Sequence, residues 1–159
     1  MIYSKACSYA IRAMVQLTLI RSDGYVRVDE LLKGTDLPRQ FVSKIFGELV
    51  RRDLLLSAKG RGGGFALARA PELITLYDIV ATIDGDEQFD QCIVGMAECD
   101  DQQPCPLHDD FKTTRTCIKK FLQETTLKYM SRTVKRKLQL IGKEVRKSKS
   151  KSKRIGRRY

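Results

Sequence analysis

The sequence predicts a mainly helical fold carrying one small β-hairpin. Three observations point to it. Apolar residues recur at helical spacing near the start of the chain and again after Leu37. A glycine-rich run, Lys59-Gly60-Arg61-Gly62-Gly63-Gly64, separates two short strand-like segments. A further long helical pattern begins at Asp109.

Taken in order, the first helix rests on Ala6, Ala10, Ala13, Met14, Leu17 and Leu19, and Ser22-Asp23-Gly24 ends it. Val28 to Lys33 predicts a short helix closed by Gly34. Leu37-Pro38 opens a stronger one, because the fixed φ of proline suits a first helical turn. Within it Phe41, Ile45 and Leu49 recur every four residues, and Val42, Phe46 and Val50 widen the stripe. Arg39, Gln40, Ser43 and Lys44 are left facing outward. Two helices joined by a short turn, the second with a polar outer face, form a helix-turn-helix pattern. In that setting Gln reads adenine and Arg reads guanine or phosphate, whereas the bland alternative is a solvated face. Arg51 and Arg52 fit backbone contacts or plain surface.

Leu54-Leu55-Leu56-Ser57 and Phe65-Ala66-Leu67 read as the strands around the glycine run. Placed directly after a helix-turn-helix, such a hairpin has the pattern of a wing. Gly62 and Gly63 let backbone approach a phosphate or enter a groove, and Lys59 and Arg61 supply the cations. A plain flexible turn is the alternative. A P-loop is excluded, since no Gly-Lys-Ser/Thr closes the run ahead of a helix. Thr75-Leu76-Tyr77-Asp78 has the form of an N-cap with an acid three residues on, starting a short helix through Ile83 that Asp84-Gly85-Asp86 stops. The helix from Asp109 has Phe111, Ile118, Phe121, Leu122 and Thr125 as its seam and extends past Met130; a long helix that a small domain leaves uncovered commonly supplies a dimer contact. The organisation is therefore a winged helix-turn-helix domain over 1–84, a cysteine loop over 85–108, a C-terminal dimerisation helix over 109–131 and a basic tail over 132–159.

A chain of 159 residues suffices for one domain with attachments. Its net charge of +11 is unevenly placed, because residues 132–159 hold 13 Lys or Arg against the single acid Glu144. The high charge thus belongs to the tail, which alternates Lys with Ser, is expected to be disordered, and either adds sequence-independent affinity for DNA or merely solubilises the end. The apolar residues from Tyr9 to Ile20 are interrupted by Arg12 and Gln16 and give no convincing export signal. Nothing approaches the roughly 20 apolar residues of a membrane span. Five cysteines in such a chain favour a reducing, cytoplasmic setting and metal binding over disulfides.

Three of those cysteines, Cys92, Cys99 and Cys105, fall with the only histidine, His108, in a span of 17 residues. Thiolates and imidazole hold soft metals and iron–sulfur clusters. The polar and turn-forming neighbours Gly95, Asp100, Asp101 and Pro104 give these thiols no core to fill. Zinc in a Cys3His site is the rival cofactor, although its usual paired short spacing is absent. His108 has an alternative as surface at a helix start. Cys7 lies on the apolar side of the first helix with Ala10 and Met14, and Cys117 lies one turn before Phe121; both are expected to pack rather than to bind.

With these motifs in place, the chain resembles the Rrf-two family of bacterial winged-helix regulators. The matching residues are Ser8-Tyr9-Ala10-Ile11-Arg12-Ala13, then Lys44-Ile45-Phe46 with Leu49, then Gly60-Arg61-Gly62-Gly63-Gly64-Phe65-Ala66-Leu67, then Ile74-Thr75-Leu76-Tyr77-Asp78-Ile79-Val80, and finally the three cysteines. The resemblance covers about residues 1–131. It implies a homodimer that binds double-stranded DNA at a partly palindromic operator, with a cysteine loop carrying an iron–sulfur cluster that tunes binding. By position, Cys92, Cys99 and Cys105 match the family's cluster cysteines, and His108 matches the histidine ligand of the IscR branch. That set favours [2Fe–2S] over [4Fe–4S]. The NsrR branch takes an aspartate from the partner's first helix; here that position holds Ser8, a poor ligand, beside Cys7.

The resulting expectation is a transcription regulator, a repressor rather than an enzyme, since no substrate-pocket signature, nucleotide motif or second redox group accompanies the cysteines. The alternative is a winged-helix regulator with structural zinc or no metal, controlled by a partner protein.

Overall fold

The computed structural model describes residues 2–20, 24–97 and 99–137. Its elements are α1 (Lys5–Leu19), α2 (Val28–Leu31), α3 (Arg39–Arg51), β1 (Leu55–Ala58), β2 (Gly64–Leu67), α4 (Leu76–Asp84), a single 3-10 turn (Glu87–Phe89), α5 (His108–Glu124) and a last helical stretch, α6, at 127–137.

Ser4 starts α1 by accepting a hydrogen bond from the Cys7 amide on its Oγ at 3.0 Å, a cap that contributes about 1 kcal/mol. The buried face of α1 is Cys7, Ala10, Ala13, Met14, Val15 and Leu17. Its small residues let α1 lie against α3 and α4. Helix α3 buries Val42, Ile45, Phe46 and Leu49, the i, i+3, i+4, i+7 pattern of an amphipathic helix. Phe41, read from the sequence as part of that stripe, is 58% exposed and packs edge-on to Tyr9. At 3.6 residues per turn it lies about 90° from the centre of the buried stripe, so it joins the outer face.

Helix α3 ends in a reciprocal pair of backbone bonds, from Asp53 N–H to the Val50 carbonyl at 3.2 Å and from Leu54 N–H to the Leu49 carbonyl at 2.9 Å. This is the Schellman arrangement, with Asp53 in the left-handed position at φ 54° and Leu54 returning to the core. The chain then enters the hairpin, with register Leu55↔Leu67 through Ala58↔Gly64. Val26 bonds Phe65 in both directions at 2.8 Å and so adds a third edge to the hairpin. Phe65 stands edge-on to Phe46 at 5.0 Å, which seats the hairpin against α3.

The capping box at α4 forms as its sequence requires: Thr75 Oγ1 accepts from the Asp78 amide at 3.1 Å, and Asp78 accepts from the Thr75 amide at 2.8 Å. The C-terminal region departs from a single long helix. Helix α5 stops at Glu124, where the Leu76 amide donates to the Thr125 carbonyl and the Leu127 amide donates to the Ile74 carbonyl, each at 2.8 Å. Two consecutive β-branched threonines suit this extended bridge. Leu122 and Leu127, one on each side of it, are fully buried. Of the expected seam, Leu122 is buried, Phe111, Ile118 and Thr125 are half-buried, and Phe121 is 58% exposed. Residues 132–137, read as the start of the tail, continue α6; the rest of the tail lies outside the described residues.

The core draws on α1, α3, α4, the hairpin, Leu122 and Leu127, and among the described residues of the segment 85–108 it takes only Phe89. Among the described residues, no helix is long and apolar enough to cross a membrane.

Candidate metal centre and nucleic-acid interface

The segment 85–108 leaves the fold at the end of α4 and re-enters it at the start of α5. Its first anchor is Asp84, whose carboxylate accepts from the Ser4 amide at 2.7 Å and from Ser4 Oγ at 2.5 Å. Phe89 is buried beside Tyr77, with ring centroids 5.7 Å apart. Beyond it the chain turns tightly after Cys92, where the Gly95 amide reaches the Cys92 carbonyl at 3.0 Å. A second turn follows Cys99, where Asp100 accepts from the amides of Gln102 and Gln103, both at 2.8 Å. The last turn brings the His108 amide to the Cys105 carbonyl at 3.0 Å and starts α5.

These turns converge three thiols. The sulfur atoms of Cys92, Cys99 and Cys105 lie within 4.8 Å of one another, and Cys92 Sγ to Cys105 Sγ is 3.6 Å. His108 stands at the edge of this group, with Nδ1 3.2 Å from Cys99 Sγ. Its Nε2 faces Asp101 Oδ1 at 2.9 Å, and the same oxygen accepts from Lys112 Nζ at 2.5 Å. Phe111 and Arg115 line the recess beside the thiols. The Met96 amide, with that of Val94 and the neighbouring thiols, draws Cys92 down to about 7 against desolvation. Cys99 is pushed up: the Cys105 amide favours its thiolate, but desolvation and the two adjacent thiols outweigh it. Lys112, followed by His108, holds Asp101 below the usual carboxylate range. A cluster of soft donors, one of them readily ionised, fits a thiophilic metal or an iron–sulfur group.

Cys7 and Cys117 lie outside the group. Cys7 is fully buried in the core, where desolvation and then the Asp84 charge push it up to about 12; Cys117 is exposed on α5.

Arg39, Gln40, Ser43 and Lys44 are all exposed on α3. Arg39 Nε donates to Asp29 Oδ1 at 2.6 Å, an exposed ion pair worth at most about 1 kcal/mol. Lys59, Arg61 and Gly62 are exposed at the hairpin tip. Gly63 is buried, because its Cα faces the Ala58 carbonyl; a Cβ there would sit 2.3 Å from that oxygen. Its need for glycine is thus met inside the hairpin.

Sequence reasoning missed Phe41 on the outer face of α3 and Asp101 beside His108. Helical geometry counted from Val42 and Phe46 finds the first. Lys112, four residues after His108, is legible as its neighbour on one helical face, but the loop path that returns Asp101 is not.

A recognition-type helix backed by a three-edged hairpin defines a winged-helix DNA-binding regulator, here with a thiol-rich loop inserted before its C-terminal helices. The chain belongs to the Rrf-two family: the Rrf2 family model, described as an iron-dependent transcriptional regulator, matches residues 3–133. It is 34% identical over 130 residues to a candidate HTH-type transcriptional regulator of Aquifex aeolicus, covering 80% of this chain and 90% of that one. It is 25% identical over 119 residues to the HTH-type regulator IscR of Sodalis glossinidius, covering 75% and 72%. In fold it is similar to CymR, the global cysteine regulator of B. subtilis, at a TM-score of 0.67 and 20% identity over 82% of this chain and 95% of that one. It is likewise similar to IscR of T. potens, at 0.66 and 21% over 82% and 86%.

Proposed function

We propose that this protein is a homodimeric, cytoplasmic repressor whose affinity for a partly palindromic operator is set by an iron–sulfur cluster on Cys92, Cys99, Cys105 and His108. The observation that carries the cofactor reading is the convergence of the donors. The three thiols lie within 4.8 Å of one another, and Cys99 stands 3.2 Å from His108. Three thiolates with one imidazole favour [2Fe–2S] over [4Fe–4S]. A single zinc ion on the same donors is the rival that metal analysis separates.

When bound, the cluster supplies an oxidisable, removable crosslink among loop residues. The chain's own residues carry its state to DNA. The loop begins at the Asp84–Ser4 contact, which holds the N-terminus of α1, and ends in α5, which Leu122 seats in the core. Loop movement therefore reaches both and alters the spacing of two recognition helices in a dimer. The exposed residues Cys117 and Phe121 on the outer side of α5 supply a dimer contact. Gln40, Phe41, Ser43 and Lys44 face the major groove, where Phe41 suits a thymine methyl. Arg39 exchanges Asp29 for DNA. Lys59 and Arg61 meet phosphate or the minor groove, with Gly62 keeping the wing tip thin and Gly63 letting the hairpin close behind it. Regulation of this kind requires no catalysis.

The test is iron and acid-labile sulfide per chain, with a visible spectrum, on anaerobically purified protein. About two of each supports the reading. The substitution Cys92→Ala should then abolish both the visible absorption and any cluster-dependent change in operator affinity. Zinc alone, or regulation that survives Cys92→Ala, sinks it.

A further inference from the structure

His108 presents opposite edges of one ring to two partners. Nδ1 faces Cys99 Sγ at 3.2 Å, and Nε2 faces Asp101 Oδ1 at 2.9 Å. The His108 side chain is 10% exposed, whereas Asp101 is 71% exposed. An exposed carboxylate ordinarily swings freely between water and several rotamers. Asp101 is instead anchored by Lys112, one helical turn beyond His108 on the same face of α5, at 2.5 Å. Its backbone sits in the turn that Asp100 organises through the Gln102 and Gln103 amides. Backbone turn and lysine together hold this carboxylate against the imidazole.

We infer that Asp101, anchored by Lys112, is the positioning residue that presents Nδ1 of His108 to the iron–sulfur cluster. The inference rests on the cluster reading above and assigns a residue outside its ligand set. A ligating imidazole commonly donates its second N–H to a carboxylate, which fixes the tautomer and ring plane and raises ligand basicity; removing such a partner typically costs about 10–100-fold in metal affinity. An anionic partner also favours the oxidised, more positive state of the group it faces, so Asp101 holds the reduction potential down. Arg115 and Phe111 border the recess, but neither touches the His108 ring nitrogens.

The experiment uses anaerobically purified full-length holoprotein carrying Asp101→Asn, Asp101→Ala or, as a charge control two residues after His108, Asp110→Asn. Three quantities are read: reduction potential, rate of iron release to a chelator, and the nitrogen hyperfine coupling of the reduced cluster by pulsed electron paramagnetic resonance. Asp101→Asn should raise the potential while keeping iron and sulfide at the wild-type level. Asp101→Ala should release iron about 10–100-fold faster and change the coupling of the bound imidazole nitrogen. Asp110→Asn should match wild type in all three. Both Asp101 variants matching wild type overturns the inference. Wild-type holoprotein without directly bound imidazole nitrogen also overturns it, yet leaves the three-thiol cluster reading standing. Wild type without iron and sulfide overturns both.

Discussion

Replacing Gly63 by alanine separates two roles of the wing glycines, folding of the hairpin and approach to DNA. The added Cβ would lie 2.3 Å from the Ala58 carbonyl oxygen, 2.8 Å from the Lys59 carbonyl carbon and 2.9 Å from the Ala58 carbonyl carbon. Ordinary contact begins near 3.4 Å, so backbone must yield by about 1 Å, and backbone has no rotamer to swing away. The bond from the Gly63 amide to the Gly60 carbonyl, 3.0 Å, lies in the segment that must move. Insertions of this kind cost about 1–3 kcal/mol. Gly62 provides the comparison: a Cβ there meets open space, but φ is +85°, so alanine costs about 1 kcal/mol of backbone strain. Urea unfolding should therefore rank wild type above Gly62→Ala and Gly62→Ala above Gly63→Ala. Fluorescence anisotropy with a labelled operator duplex should show the larger drop in affinity for Gly63→Ala, because the shift displaces Lys59 and Arg61 together. A Gly63→Ala protein as stable as wild type and with unchanged affinity would refute the steric argument.

Other expectations follow from the same structure. Asp53→Gly relieves a left-handed residue at the end of α3 and should stabilise by about 1 kcal/mol; a fall in stability would mean that the carboxylate has a role unrelated to φ. Leu122→Ala removes the fully buried anchor of α5 and should cost about 2–5 kcal/mol in chemical denaturation, whereas a cost near zero would detach α5 from the core described above. With Lys59 and Arg61 both changed to alanine, the plot of log affinity against log salt should become shallower by about 0.9 for each phosphate that the wing no longer neutralises; an unchanged slope removes the wing from the DNA backbone. In metal-free protein Cys92 ionises as pH rises through about 7, while Cys7 stays protonated to about 12. Iodoacetamide should therefore label Cys92 first at neutral pH, and mass spectrometry of the native protein finding Cys7 labelled first would contradict the burial of α1.

Local chemistry made the DNA-facing half of the chain legible. The capping box at Thr75 and Asp78, the glycine run of the wing and the apolar spacing of α3 each act over a few residues, and the structure realises all three. Phe41 leaves the expected stripe because a four-residue repeat drifts about 40° per step against a helical turn, so one end of the run departs from the buried face. The break at Thr125 depends on pairing with Ile74 and Leu76, some fifty residues earlier, which periodicity does not see. The grouping of Cys92, Cys99 and Cys105 is legible from residue type and spacing, while their convergence and the contact that returns Asp101 to His108 depend on the turns after Cys92, Cys99 and Cys105.

Because, among the described residues, the core takes only Phe89 from the cysteine-bearing segment, the thiol group and the hydrophobic interior are separable possessions of this chain. In a zinc finger, metal binding is folding, and the empty chain is debris for proteases. On the proposed cluster reading, a chain that has lost its cluster would keep its hydrophobic interior and wait intact for reloading. A population of such molecules would be a standing inventory, some charged and some not, whose ratio would track how fast the cell rebuilds what it loses. The response would then be set by repair and damage rates rather than by the slower turnover of the polypeptide.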